Sequence, residues 1–457
     1  MSKEIDMLHG PLLGKILLFA LPLAVSSVLQ QLFNSVDVAV VGHFASSEAL
    51  AAVGSNAPVI SLLVNLFLGL SMGANVVIAN HIGQNDEDGI RKAISTMTLV
   101  SLICGFALLV LGVAIARPIL TWMGTPANVL DMAVSYLRIY FLGMPFVMIF
   151  NFGSAILRSR GDTRRPLYIL IAAGIVNTVF NLIFVICFKM GVEGVAIATG
   201  IANALSAFMI TIMLHREPEP YRIHPRVMKI YWKELEPMIR IGVPAGLQGV
   251  VFSISNVVVQ SAINSYGPAA IAGSAAALNF EFYCYYVVEA FNGAAISFIG
   301  QNYGAGNKER VRNVFLICMS VSVVTCLFLN WLFVSYDDFF LGFFSADPEV
   351  HVFGRMRLHH ILAYHALICT YEIGGSCLRG MGRSLLPTLQ TILGTCVLRL
   401  VWVYAVTTHL PGFDNLLRVY PISWIATGIM VLISWFVIFH KWRPAAENSS
   451  LATAFSM

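Results

Sequence analysis

Acidic side chains inside long apolar stretches are the residues of this sequence with the clearest chemistry. Asp37 lies near the end of the run from Leu17 to Val41, which is long enough to cross a lipid bilayer. A carboxylate in hydrocarbon is costly, and it persists mainly where it faces a cavity or a partner. Such a group can exchange H+ or Na+ as its surroundings change. Pro22 in the same run removes a backbone hydrogen bond, so we predict a hinge there.

Oxygen-bearing side chains on later apolar runs could complete a cation or proton site around Asp37. Asn177 and Asn181 are four residues apart and share one helix face, and Thr199 lies on the next run. Tyr136, on an earlier run, is a further candidate. Polar side chains also hold membrane helices together, so the alternative for these residues is a packing contact, or an interfacial role for Tyr136.

The second half of the chain carries acids among aromatic side chains, a setting that suits a lipophilic cation. Glu281 and Tyr285 are one helical turn apart, and Glu289 follows one turn later. Glu372 and Asn151 stand at equivalent positions of an internal repeat, each six residues before a Leu-Arg pair. We predict that these five residues line a substrate cavity. Ordinary packing around a hydrogen-bonded Glu is the alternative.

The composition identifies the class of protein. Of all residues 58% are hydrophobic and 11% are charged, whereas a soluble domain carries about 25% charged residues. The chain is therefore predicted to be an all-α polytopic membrane protein. Its eight cysteines lie singly inside apolar runs, so neither a disulfide framework nor a metal site is expected. The segment GQNYGAGN lacks the Lys-Ser/Thr of a phosphate-binding loop, so we expect no cofactor beyond the coupling ion.

Twelve apolar runs, separated by polar or Gly/Pro segments, predict twelve transmembrane helices. Their predicted bounds are 15–42, 50–82, 93–122, 131–157, 166–190, 192–214, 238–264, 268–300, 313–336, 352–378, 386–409 and 418–440. Lys and Arg concentrate at the N-terminus and in the loops after even-numbered spans, which places both termini in the cytoplasm. Because the basic residues lie in these loops, no nucleic-acid partner is expected.

The two halves of the chain repeat each other. The pattern LR-x2-G-x4-P occurs at 157–166 and at 378–387, and IGQN occurs at 82–85 and at 299–302. Six spans per repeat give both halves the same orientation, an arrangement that encloses a cavity open alternately to the two sides. The predicted division is an N-lobe at 1–214, a cytoplasmic linker at 215–237, a C-lobe at 238–440 and a cytoplasmic tail at 441–457.

The segments VSSVLQQLFNSVDVAVVGHF-x5-LAAVG, IGQN, LRSRGDTRRP and IGQNYGAGN resemble the multidrug and toxic compound extrusion (MATE) transporters over nearly the whole chain. The resemblance implies a V-shaped fold of two pseudo-symmetric six-helix lobes. It also implies export of organic cations and drugs in exchange for H+ or Na+. In this family Asp37 would be the cation or proton site of the N-lobe, with Asn177, Thr199 and Tyr136 beside it.

Two features set the chain apart within that family. Asn181 stands where many relatives have Asp, so the N-lobe site has one acid fewer, which favours H+ over Na+. Phe252 stands where the NorM-like branch has an acid. Glu281 and the GQNxGAG segment instead resemble the DinF-like bacterial branch.

The predicted function is therefore secondary active multidrug export by alternating access. We expect a multi-pass monomer that moves small lipophilic or cationic drugs. It would lie in the lipid of a bacterial cytoplasmic membrane, the cell inner membrane. The alternative is a flippase for lipid-linked oligosaccharides or lipids of the same superfamily. Its anionic pyrophosphate substrates would need several basic residues in the cavity, and Arg399 is the one candidate. An intramembrane enzyme would need a clustered catalytic constellation, which the sequence does not show.

Overall fold

The protein is almost entirely helical in the computed structural model, which describes residues 4–345 and 347–444, the side chain of Ser47 excepted. Within these residues eleven helical stretches are long and apolar enough to cross a membrane, and a bent pair supplies a twelfth span. Spans 1 to 12 are Leu12–Phe44, Ser47–Gly83, Glu87–Trp122, the pair Ala127–Leu142 and Met144–Ser159, Arg164–Cys187, Gly191–His215, Trp232–Asn264, Pro268–Gly304, Lys308–Ser335, Pro348–Gly380, Leu385–His409 and Phe413–Lys441. A short helix, Asp337–Leu341, lies between spans 9 and 10. The predicted twelve-helix fold class is confirmed.

Four spans depart from regular α-helix. Span 4 bends by 45° at Gly143, and span 10 contains the 3-10 segment Leu362–Leu367. Span 5 ends in the π-helical turn Ile183–Cys187, and span 11 contains two such turns, Ile392–Val397 and Trp402–Val406. Hydropathy does not distinguish these segments from an α-helix, so the sequence does not predict them. π-Helical turns are frequent at functional sites.

The described chain forms two compact units. The first unit contains Val25–Val250 and the described residues before Met7, and the second contains Met7–Ala24 and the described residues from Val251 onward. Spans 1 and 7 are therefore each divided between the two units, with one part of the helix in each. The lobes expected from the sequence divide at 215–237 instead, and their bounds stay a prediction. Residues 1–3 of the expected N-lobe and 445–457 of the expected tail lie outside the described residues.

In the first unit, spans 2 and 7 meet through two pairs of glycines. A Cβ atom on Gly69 of span 2 would lie 2.4 Å from the carbonyl oxygen of Gly242 and 2.4 Å from the backbone nitrogen of Gly246. A Cβ atom on Gly73 would lie 2.3 Å from the carbonyl oxygen of Met238. Small residues four positions apart let membrane helices approach closely. This contact holds the first part of span 7 against span 2.

Adding a methyl group at this contact should destabilise the fold. We expect Gly69→Ala to lower the free energy of unfolding by roughly 1–3 kcal/mol, because the backbone of span 7 would have to move. Gly54→Ala on the same span is the matched control, since no atom lies within 4 Å of its Cβ position. Thermal unfolding of the purified proteins in detergent measures both. A melting temperature for Gly69→Ala at or above that of Gly54→Ala would contradict the close contact.

In the second unit, spans 8 and 10 pack over an apolar cluster. Its buried centre contains Phe280 of span 8, Leu358 of span 10 and Leu341 of the short helix Asp337–Leu341. The residues next to the first two in sequence are charged, namely Glu281 and Arg357. The packing of Phe280 and Leu358 therefore fixes the two backbone positions from which an acid and a base approach each other.

Candidate functional site

Hydrogen bonds in the first unit connect Asp37 to three polar residues of spans 5 and 6. Nδ2 of Asn181 donates to Oδ1 of Asp37 and also to Oδ1 of Asn177, the latter at 3.1 Å. Nδ2 of Asn177 donates to Oγ1 of Thr199 at 3.2 Å, and the Thr199 hydroxyl donates to the carbonyl of Val195 at 3.0 Å. The row runs from the acid of span 1 through two amides to the hydroxyl of span 6.

The pattern of donors leaves the charge of Asp37 uncompensated. In the described part of the chain, the Asn181 amide donates to this carboxylate and no Lys, Arg or His pairs with it. Asn181 is fully buried, and its Oδ1 has no hydrogen-bond partner among the described groups. A carboxylate beside an amide oxygen that lacks a donor is a favourable place for a proton or a small cation, because both groups present lone pairs.

Two tyrosines of span 4 stack on each other in the first unit. The rings of Tyr136 and Tyr140 stack with their centroids 6.2 Å apart. Both lie within electrostatic range of Asp37. Their rings can stack because Tyr136 and Tyr140 are one helical turn apart on the same face of the helix. Of the five residues expected at a coupling site, four are therefore joined by hydrogen bonds in the first unit, and Tyr136 interacts with Asp37 through electrostatics alone.

A second set of acidic residues lies where spans 8 and 10 meet. Nδ2 of Asn292 donates to Oε2 of Glu372 at 3.1 Å, and both side chains are buried. Tyr285 lies within electrostatic range of Glu372 and of Glu289. The structure thus brings together three of the residues expected in a substrate cavity. Asn292 was missed, although it lies two helical turns after Tyr285 on the same span.

Glu281 is engaged by an arginine. Nε and Nη2 of Arg357 donate to its two carboxylate oxygens at 2.6 and 3.0 Å. Glu281 is 7% exposed and Arg357 is 3% exposed, so this is a buried bidentate ion pair. The role of Glu281 as a partner for cationic drugs requires Arg357 to release it, and it stays a prediction. Arg357 was missed because a basic residue near the start of a span is typical of the membrane surface.

The remaining predicted residues lie outside these clusters. Asn151 belongs to the first unit, on span 4, where its amide donates to the carbonyl of Val147 at 2.9 Å. Pro22 is buried in span 1, close to the position where this helix passes from the second unit to the first. Within residues 4–345 and 347–444, no group of three or more His, Cys, Asp or Glu side chains could hold a metal ion.

Comparison with known proteins identifies relatives of this chain over most of its length. The MatE family model matches residues 22–183 and 244–405. The probable multidrug resistance protein YpnP of Bacillus subtilis is 26% identical over 400 residues, which cover 87% of this chain and 89% of that protein. The probable multidrug resistance protein NorM of Thermotoga maritima is 25% identical over 388 residues, 83% and 82% of the two chains. A solved structure of MATE in the straight conformation superposes with a TM-score of 0.89 at 22% identity, covering 96% and 99% of the two chains.

Proposed function

Because the chain belongs to the MatE family, whose members are membrane transporters and not enzymes, we propose that it exports small lipophilic cations in exchange for a coupling ion. The observation that carries the proposal is the uncompensated carboxylate of Asp37 beside the unpartnered amide oxygen of Asn181. One carboxylate with amide and hydroxyl neighbours needs a single positive charge to become neutral. We infer that this charge is H+ or Na+, and the single acid favours H+.

Exchange follows from competition for negative charge. A coupling ion at Asp37 removes the uncompensated negative charge of this site, so a cationic drug would bind near Asp37 less tightly once the ion is bound. By linkage, bound drug weakens ion binding to the same degree. In the second unit, Glu372 and Glu289 would attract the drug cation, against the opposing charge of the buried Arg379, which lies within electrostatic range of Glu372. Bending of span 1 near Pro22 would expose Asp37 alternately to the two sides of the membrane. The ion would enter from outside, and the drug would be released to the outside.

The proposal places the protein in a bacterial cytoplasmic membrane as a monomer, with both termini in the cytoplasm, and within the DinF-like branch. The concentration of Lys and Arg in the loops after even-numbered spans supports the orientation. An ion gradient directed into the cell would drive release of the drug to the outside.

Uptake of ethidium into inverted membrane vesicles tests the function. We expect vesicles that contain the protein to accumulate ethidium when either a proton or a sodium gradient is imposed, and the effective gradient identifies the coupling ion. Vesicles from cells without the protein are the control. Equal ethidium levels in both kinds of vesicle under both gradients would contradict the proposal.

A further inference from the structure

Arg399 lies inside span 11 without an acidic partner. Its side chain is 1% exposed. Nη1 donates to Oδ1 of Asn256 at 3.1 Å, and Nε donates to Oγ of Ser423 at 3.4 Å. Both acceptors are neutral. Among the residues that the structure describes, no Asp or Glu forms an ion pair with Arg399, whereas the buried Arg357 of the same unit is paired.

An unpaired guanidinium is costly at this depth. Arg399 lies ten residues before the end of span 11, about 15 Å along the helix axis, so a phospholipid headgroup at the membrane surface does not reach it. The rings of Tyr420 and Phe252 lie 4.4 and 5.3 Å from the guanidinium carbon, and cation–π attraction offsets part of the cost. A guanidinium has five N–H donors. Asn256 and Ser423 take two of them, and no carboxylate of the described residues forms an ion pair with the guanidinium.

The internal repeat places Arg399 at the counterpart of a residue near Asp37. The two segments that match the family model begin at 22 and 244, which are 222 residues apart. At this spacing Arg399 corresponds to Asn177, and Asn256 corresponds to Asn34 of span 1. Span 5 of the first unit therefore carries an amide where span 11 of the second unit carries a guanidinium. In the first unit that amide is hydrogen-bonded, through Asn181, to the carboxylate of Asp37 on span 1.

Arg399 is buried, but one of its hydrogen-bond partners reaches the protein surface. Asn256, which accepts the hydrogen bond from Nη1, is exposed. The guanidinium therefore lies directly behind an amide at the protein surface. Two π-helical turns, Ile392–Val397 and Trp402–Val406, flank Arg399 on its own helix. Such turns are rare and frequently mark functional sites.

From these observations we propose that Arg399 and Asn256 bind the anionic group of an amphiphilic substrate, a carboxylate or a phosphate. The proposal rests on the proposed export function. It specifies that the substrates include compounds in which a negative group is attached to an aromatic or cationic ring system. The planar guanidinium fork matches a carboxylate or phosphate with two parallel hydrogen bonds. The rings of Phe252 and Tyr420 offer apolar faces to the rest of the molecule.

The test uses rhodamine B and its methyl ester, which share a cationic ring system but differ in one carboxylate. We expect Arg399→Gln to lower the affinity for rhodamine B in detergent, measured by fluorescence polarisation, by roughly tenfold, because a charged hydrogen-bond donor is lost. Binding of the ester should stay within about twofold of wild type on the same arithmetic. Uptake of the two dyes into inverted vesicles should follow the same pattern. Arg399→Lys, which keeps the charge without the fork, should restore part of the loss.

Arg383→Gln, which removes an exposed arginine, is the control and should change neither dye. An equal loss of both dyes in Arg399→Gln would show that Arg399 only maintains the structure, and it would overturn the proposal. Wild-type binding of rhodamine B by the variant would do the same. Wild-type protein that binds both dyes but transports neither would count against the export function and leave the binding test intact. Uptake of the ester without binding of the acid would refute the anion site and retain the export function.

Discussion

The Asp37→Asn variant is expected to fold normally and to accumulate no ethidium above the background of vesicles without the transporter. Asparagine has almost the same shape as aspartate, so the row through Asn181 to Thr199 can persist. It carries no charge at any accessible pH, however, and it cannot take up and release a coupling ion. The measurement is ethidium uptake into inverted vesicles under the gradient that drives the wild-type protein.

A matched variant separates the loss of coupling from a general effect. Asp131→Asn removes an exposed acid that pairs with Arg117, and an exposed pair contributes about 0–1 kcal/mol to stability, so its transport should equal that of the wild type. Ethidium binding in detergent should survive in Asp37→Asn. Ethidium uptake by Asp37→Asn at the wild-type rate would remove Asp37 from the coupling step and direct attention to Glu372.

The Glu281→Gln variant is expected to unfold at a markedly lower temperature than the wild type. The substitution leaves the Arg357 guanidinium buried without its acid, and breaking a buried ion pair in this way costs about 3–5 kcal/mol. The double variant Glu281→Gln/Arg357→Met removes the stranded charge. Its stability should recover most of this loss, because no charge is then left buried without its partner.

Transport by the double variant distinguishes two roles for Glu281. If the pair is structural, the stable double variant exports ethidium like the wild type. If Glu281 holds the drug cation, export falls although the protein is folded. Unchanged melting of the single variant in detergent would contradict the buried pair itself.

Hydropathy and the repeat pattern were sufficient to predict the twelve spans, because a membrane span needs about 20 apolar residues whatever its partners are. The row from Asp37 to Thr199 also follows from sequence, since each of its polar side chains interrupts an otherwise apolar helix face. Such residues must find one another or a ligand.

Contacts that depend on tertiary packing were not predictable in the same way. The glycine pairs GLSMG and GVPAG are visible in the sequence, but their spacing does not say that span 2 meets span 7. Arg357 resembles a surface residue until Glu281 is seen beside it. The π-helical turns around Arg399 leave no mark in hydropathy, because a widened turn contains the same apolar residues as an α-helix.

The division of spans 1 and 7 between the two units has a consequence for the origin of this chain. Each half of the sequence donates part of its first helix to the unit built mainly by the other half. A half-length ancestor with this architecture would not have been a complete folding unit. It would have been an obligate dimer whose two copies exchanged their leading helices, and gene fusion would have converted that exchange into an internal one. Separately synthesised halves of the present chain should therefore become stable only when they are produced together.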